Sequence, residues 1–321
     1  MMTATHQPLD ADTLDLLQTS LRHVLTDKSD RPLAARLAEL GWDDVIEQDA
    51  ATSLRTLFEI KGDTLSPADA LGASLSRRLH ELTGDDLTVA LPSPYGPTTG
   101  GGNVLHVEAM LTSAPGTGPI AVPVDGRLAV CVVDGLTITA LDGIDDTLPS
   151  QRVTGSTSAA RWIAAPVWDQ LVAHGRWLLA CELVGIARHV VAGAVEYTKQ
   201  RVQYGKPIGT FQALQHRLAA AHSMVVGASH LAIEAGADAD VAGTEWTAMV
   251  AKCMAGQAAE FACTQAQQCY GAIGFTWEHE FHRSLRRTYA LDRMLGDWRT
   301  LEHEIGTRLQ QSGEVPRIGS L

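Results

Sequence analysis

From Leu9 to His80 the apolar positions recur at spacings of three and four, in Leu14-Leu17-Leu21-Val24, Leu33-Leu37-Leu40 and Leu71-Leu75-Leu79. That is the period of helices with one buried face. Gly41 and Gly62 punctuate the run, and Ser66-Pro67 has the form of a cap with a first helical residue, so three or four modest helices are expected. After Gly84 the pattern changes. Leu87-Val89, Val104-Met110, Ile120-Val124, Leu128-Val133 and Leu136-Leu141 are short, apolar or alternating, and separated by Gly, Pro and Asp, the chemistry of strands and turns. The Gly100-Gly101-Gly102 run precedes a strand-like segment instead of a helix opening with Lys-Ser/Thr, so a plain turn is expected and not a phosphate cradle.

From about Ala160 the strands are expected to stop. Trp177, Cys181, Val184, Arg188, Val191, Val195 and Thr198 lie along one face of a helix of roughly ten turns. Further long helices are expected at about Gln212 to Ala237, Thr244 to Tyr270 and Glu280 to Gln310, and such a set packs as a four-helix bundle. The expected fold is α+β and mostly α, with an N-terminal helical domain (1–84), a small central β-domain (85–159) and a C-terminal four-helix bundle (160–321). Ala213, Ala219, Ala220, Ala221, Gly227, Ala228, Ala255, Gly256, Ala258, Ala259 and Ala262 allow close helix approach, inside the bundle or between subunits.

With 321 residues, 45% of them apolar, the chain can bury a sizeable core. A formal charge of −12 offers no basic field for nucleic acid or an anionic membrane surface. Five cysteines without a CxxC pair argue against a disulfide framework and for the reducing cytoplasm. No run is read as approaching the ~20 apolar residues of a membrane span, and MMTATHQPLD lacks the features of a signal peptide.

Two connections carry candidate chemistry. In Arg201-Val202-Gln203-Tyr204-Gly205-Lys206-Pro207-Ile208-Gly209-Thr210-Phe211-Gln212, Arg201 at a helix end offers a planar fork of donors suited to a pyrophosphate. Gln212 adds an amide beside the unpaired N–H groups of the next helix start. In Gln268-Cys269-Tyr270-Gly271-Ala272-Ile273-Gly274-Phe275, glycines let backbone approach a ligand, although a helix C-cap explains them as well.

Together, on this helical frame, the two segments resemble the C-terminal domain of flavin-dependent acyl-CoA dehydrogenases, whose motifs read Arg-x-x-Phe-Gly-Lys-x-x-x-x-x-Gln and Gln-x-x-Gly-Gly-x-Gly-Tyr. The match covers about Trp177 to Arg299, and the order of short helices, strands and long helices also fits. The resemblance implies that Arg201, Gln203, Tyr204, Ile208, Phe211 and Gln212, with Gln268, Gly271 and Ala272, hold the FAD of a neighbouring subunit around its adenosine and pyrophosphate. Ala272 departs from the family's Gly-Gly pair, and a positive φ there would be strained.

The catalytic centre departs further. The family's glutamate, in a Glu-Gly-Thr turn, aligns with Leu295, followed by Gly296 and Asp297; the alternative position on the preceding long helix falls at Gly175, beside Arg176. Neither accepts a proton. The family's Thr-Glu-Pro-x-x-Gly-Ser-Asp segment is replaced by Leu91-Pro92-Ser93-Pro94-Tyr95-Gly96-Pro97, and its Trp-x-Thr-like strand is missing. A general base typically contributes ~10²–10⁴ in rate, so the chain's own pocket should be slow or silent.

The resemblance therefore implies a non-catalytic subunit of a heteromeric, FAD-dependent acyl-CoA dehydrogenase, of the kind found in actinobacterial steroid catabolism. It would be paired in an α2β2 assembly with a catalytic subunit, with an acyl-CoA substrate and an electron-transfer flavoprotein as acceptor. One alternative is a homo-oligomeric enzyme whose base is a displaced acid, Asp297, Asp292 or Glu302; in a helix Asp297 would point about 200° from position 295. Another is a flavin-free scaffold or acyl-CoA-binding protein.

Smaller signals take plainer readings. His279 and His282 beside Glu278 and Glu280 lack HExxH spacing, so no metal is expected. His216, His222 and His230 read as interface or core residues, and Arg283, Arg286 and Arg287 as a solvated basic face.

Overall fold

The computed structural model describes residues 9–29, 31–101, 104–112, 118–237, 244–316 and 318. Among them the chain forms nine α-helices, α1 (Ala11–Thr26), α2 (Leu33–Ala38), α3 (Trp42–Thr64), α4 (Leu71–Thr83), α5 (Ala165–Gln200), α6 (Gln212–Ala237), α7 (Thr244–Tyr270), α8 (Phe281–Arg293) and α9 (Trp298–Ser312). The strands are β1 (Thr88–Val89), β2 (Leu91–Pro92), β3 (Thr99–Gly101), β4 (Val104–Leu111), β5 (Ile120–Val124), β6 (Arg127–Cys131), β7 (Leu136–Ala140), β8 (Gln151–Thr157), β9 (Arg161–Ile163), β10 (Val202–Gln203) and β11 (Lys206–Pro207). The fold is mostly helical with a small sheet region, as expected. Contacts divide it into one unit of residues 1–66, 177–292 and 297–321 and another of residues 67–176 and 293–296.

The first unit is organised by a helix crossing. A Cβ placed on Gly62 of α3 would overlap the carbonyl of Glu182, and one on Gly185 of α5 would overlap the carbonyl of Glu59, so the two backbones touch where both helices carry glycine. Gly62 therefore lies inside α3 and does not end it, contrary to expectation. The crossing buries charge: Lys61 Nζ sits 2.5 Å from Glu182 Oε1, and Arg287 of α8 donates to the same carboxylate oxygen at 3.4 Å and to the Ser66 carbonyl at 3.0 Å. Only 1% of Arg287 is exposed, so it leaves the solvated face assigned to it. Ser66 serves as this acceptor and not as the start of α4, whose first turn is capped by Asp69 bonding the Gly72 N–H at 3.0 Å.

Around the crossing, α5 runs 36 residues and its middle is buried on every side. By length and composition it could span a membrane, which the sequence reading passed over, but 72% of its most apolar window is buried inside the protein. Its Trp177 indole donates to the Ala232 carbonyl at 2.9 Å, in space that any side chain at Gly236 would take. Small residues also divide between two roles: Ala221, Ala228, Ala255, Ala258, Ala259 and Ala262 are buried in the bundle, whereas Ala213, Ala219, Ala220 and Gly227 of α6 are exposed. His216, His222 and His230 share that exposure, so none of them is a core residue. The last expected helix is two, because α8 stops at Arg293 and α9 starts after Asp297, with Leu295 and Gly296 at φ +57° and +104° between them.

The second unit holds two sheets, β1-β5-β6-β9 and β2-β4-β8-β7, with β3 on β4. Only the β1–β5 pair is parallel among the described strands. Leu105, Val107, Ala109 and Leu111 alternate inward along β4 and pack with Ile120, Val122, Ala129 and Val153. Strands β2, β3, β8 and β9 were not foreseen, and β9 lies beyond the point where strands were expected to stop. Gly100 and Gly101 belong to β3 and not to a turn, while Gly102 lies outside the described residues.

Gly185→Ala should lower stability by about 1–3 kcal/mol, because the added methyl meets backbone and no side chain can move aside. Urea unfolding checks this, and an unchanged midpoint would contradict the crossing.

Candidate functional site

Both candidate connections lie in the first unit, and packed rings bring them together. The α5 helix closes through the Arg201 N–H to the Tyr197 carbonyl at 2.9 Å, and the Ile208 N–H returns to the Arg201 carbonyl at 2.8 Å. Between them β10 and β11 pair as a hairpin, Val202 opposite Pro207 and Gln203 opposite Lys206. Its two turn residues, Tyr204 and Gly205, have φ of +54° and +77°, the signs a two-residue hairpin turn requires. Glycine supplies one freely. Tyr204 adopts the other at a cost of roughly 1–2 kcal/mol and stands 92% exposed.

That exposed ring is held. Tyr204 meets Phe211 edge-on at 6.2 Å, and the Lys206 ammonium lies 4.5 Å over the Phe211 ring. Gln212 opens α6. Gly209 lies close against the Thr198 carbonyl, and its own carbonyl accepts from Gln215 Nε2 at 2.9 Å.

The second connection begins at the end of α7, where Gln268 is exposed and Tyr270 buried. A short 3-10 turn, Gly271–Phe275, follows. Gly271 takes the left-handed conformation at φ +62°, and Ala272 does not, so the strain anticipated for Ala272 is absent. Tyr270 meets Tyr197 at 5.1 Å between ring centres, His279 at 4.2 Å and Phe281 at 5.3 Å. Burial pushes the Tyr270 phenol up to about 12, so it stays neutral. Tyr197 lies one turn before Arg201 and Tyr270 immediately before Gly271, so this ring contact sets the spacing of the two edges. Sequence reading missed it, since nothing in the spacing of 197, 270 and 279 announces a cluster.

Most of the residues assigned to the nucleotide edge face solvent: Arg201, Gln203, Tyr204, Gln212, Gln268 and Ala272 are exposed, and Ile208, Phe211 and Gly271 half-buried. The Arg201 guanidinium and the Gln212 and Gln268 amides have no side-chain partner among the described residues. One cation and several amides are thus presented outward, a donor set that suits a pyrophosphate and a sugar.

The two positions that the resemblance assigns to a base, Gly175 and Leu295, meet in the second unit. A Cβ on Gly175 would fall 2.5 Å from Leu295 Cδ1, and Arg176 Nε donates to the Leu295 carbonyl at 3.0 Å. A leucine methyl thus fills the space beside Gly175. Next to Gly175, desolvation, with the Arg78 charge as the lesser cause, pushes His174 down to about 3, too weak a base to be effective at neutral pH.

Two of the three displaced acids are otherwise employed. Asp297 caps α9, accepting from the N–H groups of Arg299 and Thr300 at 3.1 Å each and from the Thr300 hydroxyl at 2.9 Å. Asp292 is buried against Lys252, with Oδ1 3.3 Å from Nζ, where the missing side chain of Gly256 leaves it room. Glu302 is exposed on α9.

The segment at Ser93-Pro94-Tyr95 is likewise consumed within its own unit. Glu108 accepts from the Ser93 hydroxyl and from Arg152 Nε and Nη2 at 3.0 and 2.6 Å, and the Arg152 guanidinium lies 4.6 Å from the Tyr95 ring centre. Arg152 holds the Glu108 carboxyl below its usual range. His279 and His282 are engaged locally, the first accepting the Phe281 N–H at 3.1 Å and the second bonding the His279 carbonyl at 2.9 Å.

Residues 166–307 match the profile of the acyl-CoA dehydrogenase C-terminal domain. The chain is 34% identical over 219 residues to acyl-CoA dehydrogenase FadE34 of Mycobacterium tuberculosis, covering 66% of this chain and 30% of that protein. It is 35% identical over 135 residues to acyl-CoA dehydrogenase IpdE2 of the same organism, covering 42% of this chain and 41% of that one. It thus spans less than half the length of these curated relatives.

Its fold is similar to that of a Tcur3481-Tcur3483 steroid acyl-CoA dehydrogenase variant, with a TM-score of 0.78 and 21% identity over 94% of this chain and 99% of that one. It is also similar to the ChsE4-ChsE5 complex of Mycobacterium tuberculosis, with a TM-score of 0.76 and 20% identity over 98% of this chain and 100% of that one.

If Asp297 is a cap, Asp297→Asn should keep stability within about 0.5 kcal/mol, since asparagine caps nearly as well, whereas Asp297→Ala should cost about 1 kcal/mol. Thermal unfolding distinguishes them. A large loss in the asparagine variant would show that the charge itself is needed.

Proposed function

We propose, from the premise that this chain belongs to the acyl-CoA dehydrogenase family through its C-terminal domain, that it is a non-catalytic subunit of an FAD-dependent acyl-CoA dehydrogenase. Its Arg201 and Gln268 edges complete the flavin site of a catalytic partner, in an assembly of two copies of each. The observation that carries this reading is the contrast between the two sites. The outward donors of Arg201, Gln212 and Gln268 are unspent, while Leu295 packs into the notch of Gly175 where a base would stand.

The residues present fit the pyrophosphate and adenosine of FAD. Arg201 would neutralise phosphate charge in a bidentate contact, the Gln203, Gln212 and Gln268 amides would bond sugar or base edges, and Tyr204 offers an aromatic face. Ile208, Phe211, Gly271 and Ala272 would line the contact without charge. FAD supplies the two-electron oxidant for the α,β-dehydrogenation of an acyl-CoA, in the partner's site. This chain's part is to hold and orient, and no proton is moved by its own residues.

The substrate class we assign is an acyl-CoA from steroid breakdown, supported by the likeness in fold to the Tcur3481-Tcur3483 steroid acyl-CoA dehydrogenase. An electron-transfer flavoprotein in the cytoplasm would be the acceptor. The heteromeric arrangement is supported by the paired name of the ChsE4-ChsE5 complex.

The test compares the chain alone with the chain bound to the acyl-CoA dehydrogenase that co-purifies with it from native cells, measuring flavin content and acyl-CoA oxidation. We expect turnover only in the complex, and Arg201→Ala or Gln212→Ala in this chain to raise the flavin dissociation constant about ten- to a hundredfold. Robust turnover by the lone chain would overturn the reading, as would a complex that forms without flavin.

A further inference from the structure

We infer that His279 is a positioning residue for the cofactor edge, active only as neutral imidazole, so that acid releases the Gly271–Ala272 segment; this rests on the function proposed above. Its ring occupies a junction. Nδ1 accepts the N–H of Phe281, the first residue of α8, at 3.1 Å, and the ring lies 4.2 Å from Tyr270 and 6.3 Å from Tyr197. The same imidazole therefore ties off the start of α8 and props the ring that precedes the second edge.

The hydrogen bonds dictate the protonation of both histidines. A backbone N–H can only donate, so Nδ1 of His279 carries no proton and Nε2 does. A carbonyl can only accept, so the Nδ1 of His282 bonded to the His279 carbonyl at 2.9 Å carries its proton. Adding a proton to His279 removes the acceptor for Phe281 and sets two N–H groups facing one another. The positive end of the α8 dipole opposes the new charge as well.

The neighbours do not offset this. The titratable groups shown against His279 among the described residues are Tyr197 from α5, Tyr270 from α7, His282 on α8 and Glu280 next in sequence. Glu280 is already bound to Arg283 at 2.7 Å. The Tyr270 phenol stays neutral through the range and supplies no counter-charge.

The consequence is local. Gly271 follows Tyr270 directly, and Gly274 packs on the Tyr270 side chain, where an added Cβ would lie 3.0 Å from the Tyr270 Cβ. A tyrosine that loses its prop carries the turn with it. Asparagine at 279 would reproduce the acceptor, since its side chain bonds the N–H two residues on, but it does not titrate.

The experiment follows flavin retained by the complex from pH 8 to 5 with native His279, His279→Asn and His279→Ala, alongside the tyrosine near-ultraviolet circular dichroism of the lone chain. We expect the native complex to lose flavin about fivefold more steeply in acid than the asparagine variant, with the tyrosine signal changing over the same range. The alanine variant should bind flavin about fivefold more weakly at every pH. An acid profile in the asparagine variant equal to the native one, or native-like flavin affinity in the alanine variant, overturns the inference while leaving the subunit reading standing. A complex without flavin at any pH removes both.

Discussion

The structure depends on the place where α3 and α5 touch. Helices held apart by side chains can slide and repack, but these two meet backbone to backbone at Gly62 and Gly185, and their relative position has little freedom. The cost is that Lys61 and Glu182 are sealed in the contact, away from water. A buried pair is tolerable only when its remaining hydrogen bonds are met; Arg287 donates to Glu182 and is itself held by the Ser66 carbonyl. One crossing thus recruits α8 and the chain after α3 into the same junction.

From that junction α5 runs a further four turns to the Arg201 connection. Its end is not left free. Tyr197 is clasped by Tyr270 and His279, so the C-termini of α5 and α7, the two elements carrying the edges, are set against one another by aromatic contacts. The exposed donors of Arg201, Gln212 and Gln268 are therefore mounted on a stiff frame. A ligand contact made by such residues loses less entropy than one made by a loose loop.

Much of this was legible in the sequence. The long apolar helical run of α5, the bounds of α6 and α7 and the arginine-to-glutamine connection are local patterns, and local patterns survive folding. What the sequence hid are relations between distant positions. Gly62 reads as a helix stop until its partner Gly185 is known, and Arg287 reads as surface until Glu182 is found beside it. Gln151–Thr157 looks too polar for a strand, since one of its faces meets solvent and only Val153 is fully buried. The break between α8 and α9 is spelled only by Gly296, because leucine at a positive φ is not an expected signal.

Leu295 carries a consequence for the history of the chain. Its side chain fills the notch at Gly175 and its carbonyl is gripped by Arg176, so positions 175 and 295 form one packed contact. A glutamate arriving at either place alone meets an occupied notch or leaves a hole, and brings charge without a prepared environment. Placing a carboxylate at either position therefore passes through an intermediate less stable than either end. A change that needs two positions at once works as a ratchet, held in place by packing.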